Sequence, residues 1–440
     1  MRLYGKIMKH TILTLLAALT AFAGWAQNPA PARPQQQAIA LLGGIIHTGT
    51  GRIIENGLIT FDKGVITNVA DASTVRLNAN EVQIINVTGK HIYPGLISPA
   101  SLVGLQEIAS VRATVDSREV GVLNPNVRAL IAYDTDSEII PTIRNNGILL
   151  TQAMPMGGTV SGSSSILHTD GWNWEDAVLR KDDGLWLNWP GYYARDFDFE
   201  TFQVAIKKND KRDEALRALQ TTFAEAKAYA DGPPPTPVNL RFEAMRGLFT
   251  GTQNLYVRAD YAKDIIEAVR FAKAAGVPKV VIVGADEADR VAQFLKDNNV
   301  PVLLSPLHRL PNRQDEPVDL PYRLPALLHK AGVLVGLSYA EEWWRTRNLP
   351  FLAGTAVGFG VPDREEALKM ITANTAKILG IDGQVGTLEP GKQATLVVSK
   401  GDLLDMRTNV IEHAFIQGRQ VNLDDKHKRL YNKFKTKYGR

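Results

Sequence analysis

Apolar positions along the chain fall into three regimes. Between residues 38 and 86 they gather in short β-type runs, 38–47, 57–61, 65–69 and 83–86, separated by Gly, Asn and Asp turn signals. A matching set follows the turn Glu389-Pro390-Gly391-Lys392, with runs at 394–399 and 410–417. Between these sets the rhythm changes. Strand-like runs at 255–259, 280–283, 302–304 and 333–337 alternate with helical stretches that begin at Tyr261 and Glu287. Alternation of that density predicts parallel βα units closing into a barrel, an α/β fold. The stretch 158–250 breaks the rhythm with most of a Gly/Ser-rich run, a Trp-rich patch, a charged helix and Pro233-Pro234-Pro235. It reads as an insertion above one face of the barrel, with Gly162-Ser163-Ser164-Ser165 as a flexible loop. The expected organisation is a first sandwich part at 38–90, a barrel at 91–385, a second sandwich part at 386–421 and a basic helix at 422–440.

The first residues add a different signal. Arg2, Lys6 and Lys9 precede an apolar run at 11–23, and small residues stand at 24 and 26. This is the pattern of a cleavable secretory leader, with cleavage expected after Ala26 and a Pro/Gln-rich linker at 27–37. The run is short for a bilayer, and no later stretch approaches the roughly 20 apolar residues a membrane helix needs. The mature chain is expected to be soluble and exported, to the periplasm or beyond.

Composition limits the chemistry. With no cysteine there is no disulfide and no thiolate, so a metal site would need His and carboxylates. The formal charge of +4 misleads. The leader holds three positive charges, and residues 421–440 hold seven Lys/Arg against Asp424 and Asp425, so the body between them is net acidic. That argues against a nucleic-acid surface on the body. In the last stretch Leu430, Tyr431 and Phe434 interleave with Lys428, Arg429, Lys433 and Lys435, predicting an amphipathic helix. Its apolar side is either a solvated face or an anchor for a membrane or partner.

Several longer strings carry a resemblance. Residues 89–97, GKHIYPGLI, look like the entry into the barrel of the amidohydrolase superfamily, in particular its imidazolonepropionase-like members. ITANTAKILG at 371–380 and GTLEPGK at 386–392 are similar to the helix and return strand that close the same proteins. RNLP at 347–350 with Ala353-Gly354 fits their last βα unit. The resemblance implies a (β/α)8-type barrel with a composite β-sandwich from the N- and C-terminal segments. It also implies hydrolysis of C–N bonds other than ordinary peptide bonds, by a divalent metal such as zinc at the C-terminal ends of the barrel strands.

Position by position, the metal ligands of that family are missing. Its strand 1 Asp and His-x-His fall on Ser98, Ala100 and Leu102. Its strand 5 His falls on Arg258 and its strand 6 His near Gly284. Its strand 8 Asp falls on Ser338 or Tyr339, with Glu341 the nearest carboxylate. No histidine lies between His168 and His308, so a shift in matching restores neither imidazole. A metal lowers the pKa of bound water only where about three protein ligands hold it. The resemblance thus implies the fold without the usual metal-dependent activity. Two readings stay open: a hydrolase with an unfamiliar mechanism, or a non-catalytic protein that binds a small, anionic ligand or serves as partner subunit in a homo- or hetero-oligomer.

The candidate residues follow. Arg258 supplies fixed positive charge at the barrel mouth, as an anchor for a carboxylate or phosphate or in an internal ion pair with Asp260, Glu287 or Glu341. His308, Asp260 and Glu341 are the catalytic candidates, and Arg309, beside His308 in the loop after 302–304, joins Arg258 as a ligand-binding candidate. Trp172 and Trp174, expected next to the mouth, either stack on a ligand or pack the insertion onto the barrel. No Gly-x-Ser-x-Gly elbow is present for a serine hydrolase.

Overall fold

The computed structural model describes residues 30–78, 80–198, 203–233, 235–313, 315–340 and 342–439, without the side chains of 194–198 and 203–206. The expected leader at 1–26 and Glu341 lie outside the described residues. Eighteen strands are described: β1 Ala38–His47, β2 Ile53–Asp62, β3 Val65–Asp71, β4 Val82–Asn86, β5 His91–Pro94, β6 Leu96–Ser101, β7 Ile148–Ala153, β8 Val160–His168, β9 Val178–Asn188, β10 Tyr193–Asp198, β11 Gln203–Lys208, β12 Asn254–Ala259, β13 Val280–Gly284, β14 Val302–Leu304, β15 Val335–Leu337, β16 Leu396–Ser399, β17 Ile411–Ile416 and β18 Arg419–Gln420.

The composite sheet runs β18-β17-β16-β5-β1-β2-β3, with β4 also on β1. Segments from both ends of the described chain therefore meet in one sheet. β1 carries β4 beside its first half, Ala38 to Leu42, and β5 beside Ile45 and Ile46. The change of partner falls at a register shift where Gly43 has φ +85°. A Cβ at Gly43 would stand 2.5 Å from Thr88 Oγ1, so only glycine serves there. The sheet encloses its own core, which includes Ile46, Ile59, Phe61, Ile92, Leu396 and Phe415. Barrel and composite sheet divide at Gly95, whose amide donates to Thr395 O at 3.0 Å.

The second eight-stranded sheet runs β6-β7-β8-β9-β12-β13-β14-β15, and its ends, β6 and β15, touch to bring it near closure. Seven strands run in one direction. β8 runs against them, antiparallel to both β7 and β9. Part of the stretch 158–250, expected as an insertion, is therefore wall of the barrel. The run Gly162-Ser163-Ser164-Ser165 is not a flexible loop but the buried centre of β8. Its small side chains leave room on both sides, and its hydroxyls are bonded: Ser164 Oγ to Asp183, Ser163 Oγ to Asp182, and Ser165 Oγ to the Asp182 amide.

Helices pack outside the barrel in the usual amphipathic manner. In Ala262–Ala274 the buried residues Ile265, Ala268, Val269 and Ala272 recur at helical spacing. Lys426–Tyr438 forms the expected helix, capped by Asp425, whose carboxylate accepts from the Lys428 amide at 2.8 Å.

Candidate functional site

The barrel lumen is filled from below by one polar cluster. Asp183 on β9 is fully buried, and its carboxylate accepts from Gln152 Nε2 at 2.8 Å, Ser164 Oγ at 2.7 Å and Tyr256 OH at 2.6 Å. Burial pushes the Asp183 carboxyl up from its usual range, against the pull of these donors. Four consecutive staves, β7, β8, β9 and β12, each supply one member. Above it Trp186 stacks on Tyr256 with ring centroids 4.8 Å apart, and both side chains are buried. Arg258 lies over this stack, its guanidinium 5.6 Å from the Trp186 ring and 3.0 Å from Met154 Sδ.

The positions matched to metal ligands sit around this plug. Ala100 and Leu102 are buried, and Ala100 holds φ +51° at its strand end. Its amide donates to Gln152 Oε1 at 2.9 Å, so the backbone is fixed by the polar cluster. Ser98 keeps a buried hydroxyl without a partner among the described residues. Gly284, at the end of β13, has φ +97°, and a Cβ there would stand 2.2 Å from Asp260 Oδ1. The Asp260 carboxylate thus takes the space that a side chain at 284 would enter. Ser338 Oγ donates to Leu304 O at 2.9 Å, and Tyr339 is buried.

Beyond the ends of β12, β13 and β14 the rim is tied by charge. Arg309 pairs with Asp286 and Glu316, each at 3.2 Å. Arg313 pairs with Glu287, which also accepts from the Ala262 amide at 2.9 Å. Asn312 joins them through Asp286 and through its amide to Glu316 at 2.8 Å. Asp260 and this network line a small cavity of about 10 Å³.

The structure gathers some of the sequence-derived candidates and separates others. Arg258, Asp260 and Arg309 converge on the C-terminal rim. His308 is exposed in the same loop, with Nε2 2.8 Å from Thr355 Oγ1, and burial of part of its ring lowers its pKa. Trp172 and Trp174 are not next to the mouth. They follow the end of β8, where the Thr169 amide donates to Leu149 O at the start of β7, so they stand at the opposite rim. The reversal of β8 is the cause. Trp172 is 70% exposed there. Sequence reasoning missed Gln152, Asp183, Trp186 and Tyr256. The one available signal was Asp182-Asp183 directly ahead of the apolar run 184–187.

Comparison with known proteins agrees with this architecture. Residues 241–421 match the profile described as the amidohydrolase family. Over 118 residues the chain is 35% identical to the amidohydrolase tasK of Hapsidospora irregularis, a match taking in 25% of this chain and only 12% of that protein. An amidohydrolase from Thermotoga maritima MSB8 shares the fold with a TM-score of 0.76 at 24% identity, over 87% of this chain and 99% of that one. A prolidase solved with N-methylphosphonate-L-proline gives 0.54 at 16% identity, over 88% and 100%. The family match is thus carried by residues 241–421, and the fold of the solved amidohydrolase extends over most of the chain. Members of this superfamily use a divalent metal, and the residues at the matched donor positions of this amidohydrolase relative do not fit one. Ala100, Leu102 and Gly284 offer no side-chain donor atom, and Arg258 is a permanent cation. Among the described residues no group of three or more His, Cys, Asp or Glu is placed to hold a metal ion.

Proposed function

We propose that this amidohydrolase-superfamily chain is an exported, non-catalytic member that keeps barrel and composite sheet as a scaffold for binding. One observation carries the reading. Where the family holds a metal, the matched position is Arg258, whose guanidinium lies over the buried Trp186–Tyr256 stack. A guanidinium can replace the charge of a metal but cannot carry a metal-bound hydroxide. The rim supports the same reading, because Arg309 and Arg313 are engaged with Asp286, Glu287 and Glu316. Function on such a surface is ligand or partner binding.

The test uses the purified chain. Zinc, iron and manganese are measured per chain, and hydrolysis of amides, lactams and dipeptides, proline dipeptides included, is assayed with and without each added metal. The expected result is substoichiometric metal and no metal-dependent turnover. Stoichiometric metal, or turnover that rises with added metal, overturns the proposal. Metal-free turnover lost in Arg258→Ala or His308→Ala would revive a hydrolase of unfamiliar mechanism.

A further inference from the structure

The helix Lys426–Tyr438 turns the usual relation between an amphipathic helix and its own protein inside out. At about 100° per residue, His427, Leu430, Tyr431, Phe434 and Tyr438 share an arc of roughly 100°. Lys426, Lys433 and Lys437 border it on one side, Lys428 and Lys435 on the other. Such an arc normally packs on the core. Here every residue from Lys426 to Gly439 is exposed, and Leu430, Tyr431, Phe434 and Tyr438 keep 42%, 66%, 47% and 64% of their surface in contact with solvent. The ties to the body come from the cap and the first turn: Asp425 with Asn145, His427 with Arg347 at 3.4 Å, Lys428 with Asn145 at 2.5 Å and Arg429 with Glu138 at 3.0 Å.

Charge decides what fits the arc. The helix holds six Lys/Arg and no Asp or Glu. Two copies laid face to face would set six cations against six, which opposes self-association. A nucleic acid would take the cations and leave the apolar arc without a role. A flat anionic lipid surface uses both: apolar and aromatic side chains enter the headgroup boundary, and lysines on either border reach back to the phosphates. We infer that helix Lys426–Tyr438 is an interfacial anchor that docks the protein onto an anionic phospholipid surface, with Leu430, Tyr431, Phe434 and Tyr438 inserted. No helix among the described residues is long and apolar enough to cross a membrane, so the mode is lying on the surface.

The experiment is co-sedimentation of the purified full chain with vesicles of phosphatidylcholine alone and of phosphatidylcholine mixed with phosphatidylglycerol. Expected is binding to the mixed vesicles only, released at roughly tenfold higher salt. Lys433→Gln, Lys435→Gln and Lys437→Gln combined should weaken it roughly a hundredfold. Leu430→Ser with Phe434→Ser, which leaves every charge in place, should weaken it by a similar factor. Circular dichroism checks that both variants remain folded. The inference fails if the chain ignores both vesicle types, or if the Leu430/Phe434 variant binds as well as the parent, which would make the helix a plain cationic tail. It fails equally if sedimentation velocity finds self-association that the Leu430/Phe434 variant abolishes, or if an oligonucleotide binds while vesicles do not.

Discussion

A buried carboxylate sets the chemistry at the centre of the barrel. Asp183 has three donors within 2.8 Å, each from a different strand, so the cluster fixes the lateral register of the wall as well as the side chains inside it. Tyr256 does two jobs, since its ring stacks on Trp186 and its hydroxyl donates to Asp183 and accepts from Asn254 Nδ2 at 2.9 Å. Tyr256→Phe separates them. The ring stays, while Asp183 loses one donor in a site that water does not reach, and a buried unmet hydrogen bond costs about 2 kcal/mol. The expected outcome is that loss in urea unfolding with an unchanged denaturant slope. A change below about 0.5 kcal/mol would mean that the network does not hold the barrel.

At the scale of elements, β8 is the decisive piece. Its reversal puts Val160 at the C-terminal rim and His168 at the other, and it leaves an outer flank where the segment 122–128 runs alongside, Leu123 beside Val160 and Arg128 beside Ser163. Gly162 makes this approach possible: it has φ +128°, and a Cβ would lie 2.4 Å from Val127 O. Gly162→Ala meets a forbidden backbone region and a fixed carbonyl together, so thermal unfolding should show a loss of about 3 kcal/mol or more. A neutral result would show that the 122–128 segment is free to move away. The same element marks the limit of legibility. β13 and β14 are plain in the sequence because branched apolar residues run unbroken through 280–283 and 302–304, and the closing motifs at 89–97 and 371–392 point to the fold. β8 is hidden, since Gly and Ser at 161–165 carry the composition of a loop and become strand only where bulky neighbours such as Trp186 need small partners. The positions matched to donors from the sequence, Ala100, Arg258 and Gly284, lie at or near the ends of β6, β12 and β13. The aromatic stack with a guanidinium over it depends on contacts between β7, β9 and β12 that sequence spacing does not encode.

The molecule as a whole has a seam where the composite sheet meets the lower rim of the barrel, and histidines gather along it. His47 at the end of β1 has Nδ1 2.6 Å from Glu365 Oε1 and Nε2 2.9 Å from His91 Nδ1, while Tyr93 stacks on its ring at 4.2 Å. The two imidazole centroids are 5.2 Å apart and the rings nearly parallel, with the facing nitrogens within hydrogen-bond reach. His168 at the end of β8 reaches across to Gln393 at 3.2 Å. Burial first, then the charge of His47, lowers the pKa of His91, with Glu55 opposing. Burial lowers that of His168 to about 4, with Arg419 adding to it and Gln393 opposing. A histidine depressed in the folded state is neutral there and protonated in the unfolded chain below about pH 6.5. The unfolded state then binds more protons, so stability is complete above about pH 6.5 and declines as pH falls from there to about 4. For His168 the span corresponds to roughly 3 kcal/mol. His168→Gln keeps a donor for Gln393 and removes the titration. Its unfolding free energy should therefore fall less than that of the parent between neutral pH and about pH 4.5, by roughly 3 kcal/mol. Hydrogen exchange should show protection lost first in β5, β16 and the start of β7, the strands on either side of the seam. If parent and variant fall in parallel, the acid response belongs to carboxylates elsewhere, and the seam does not carry it.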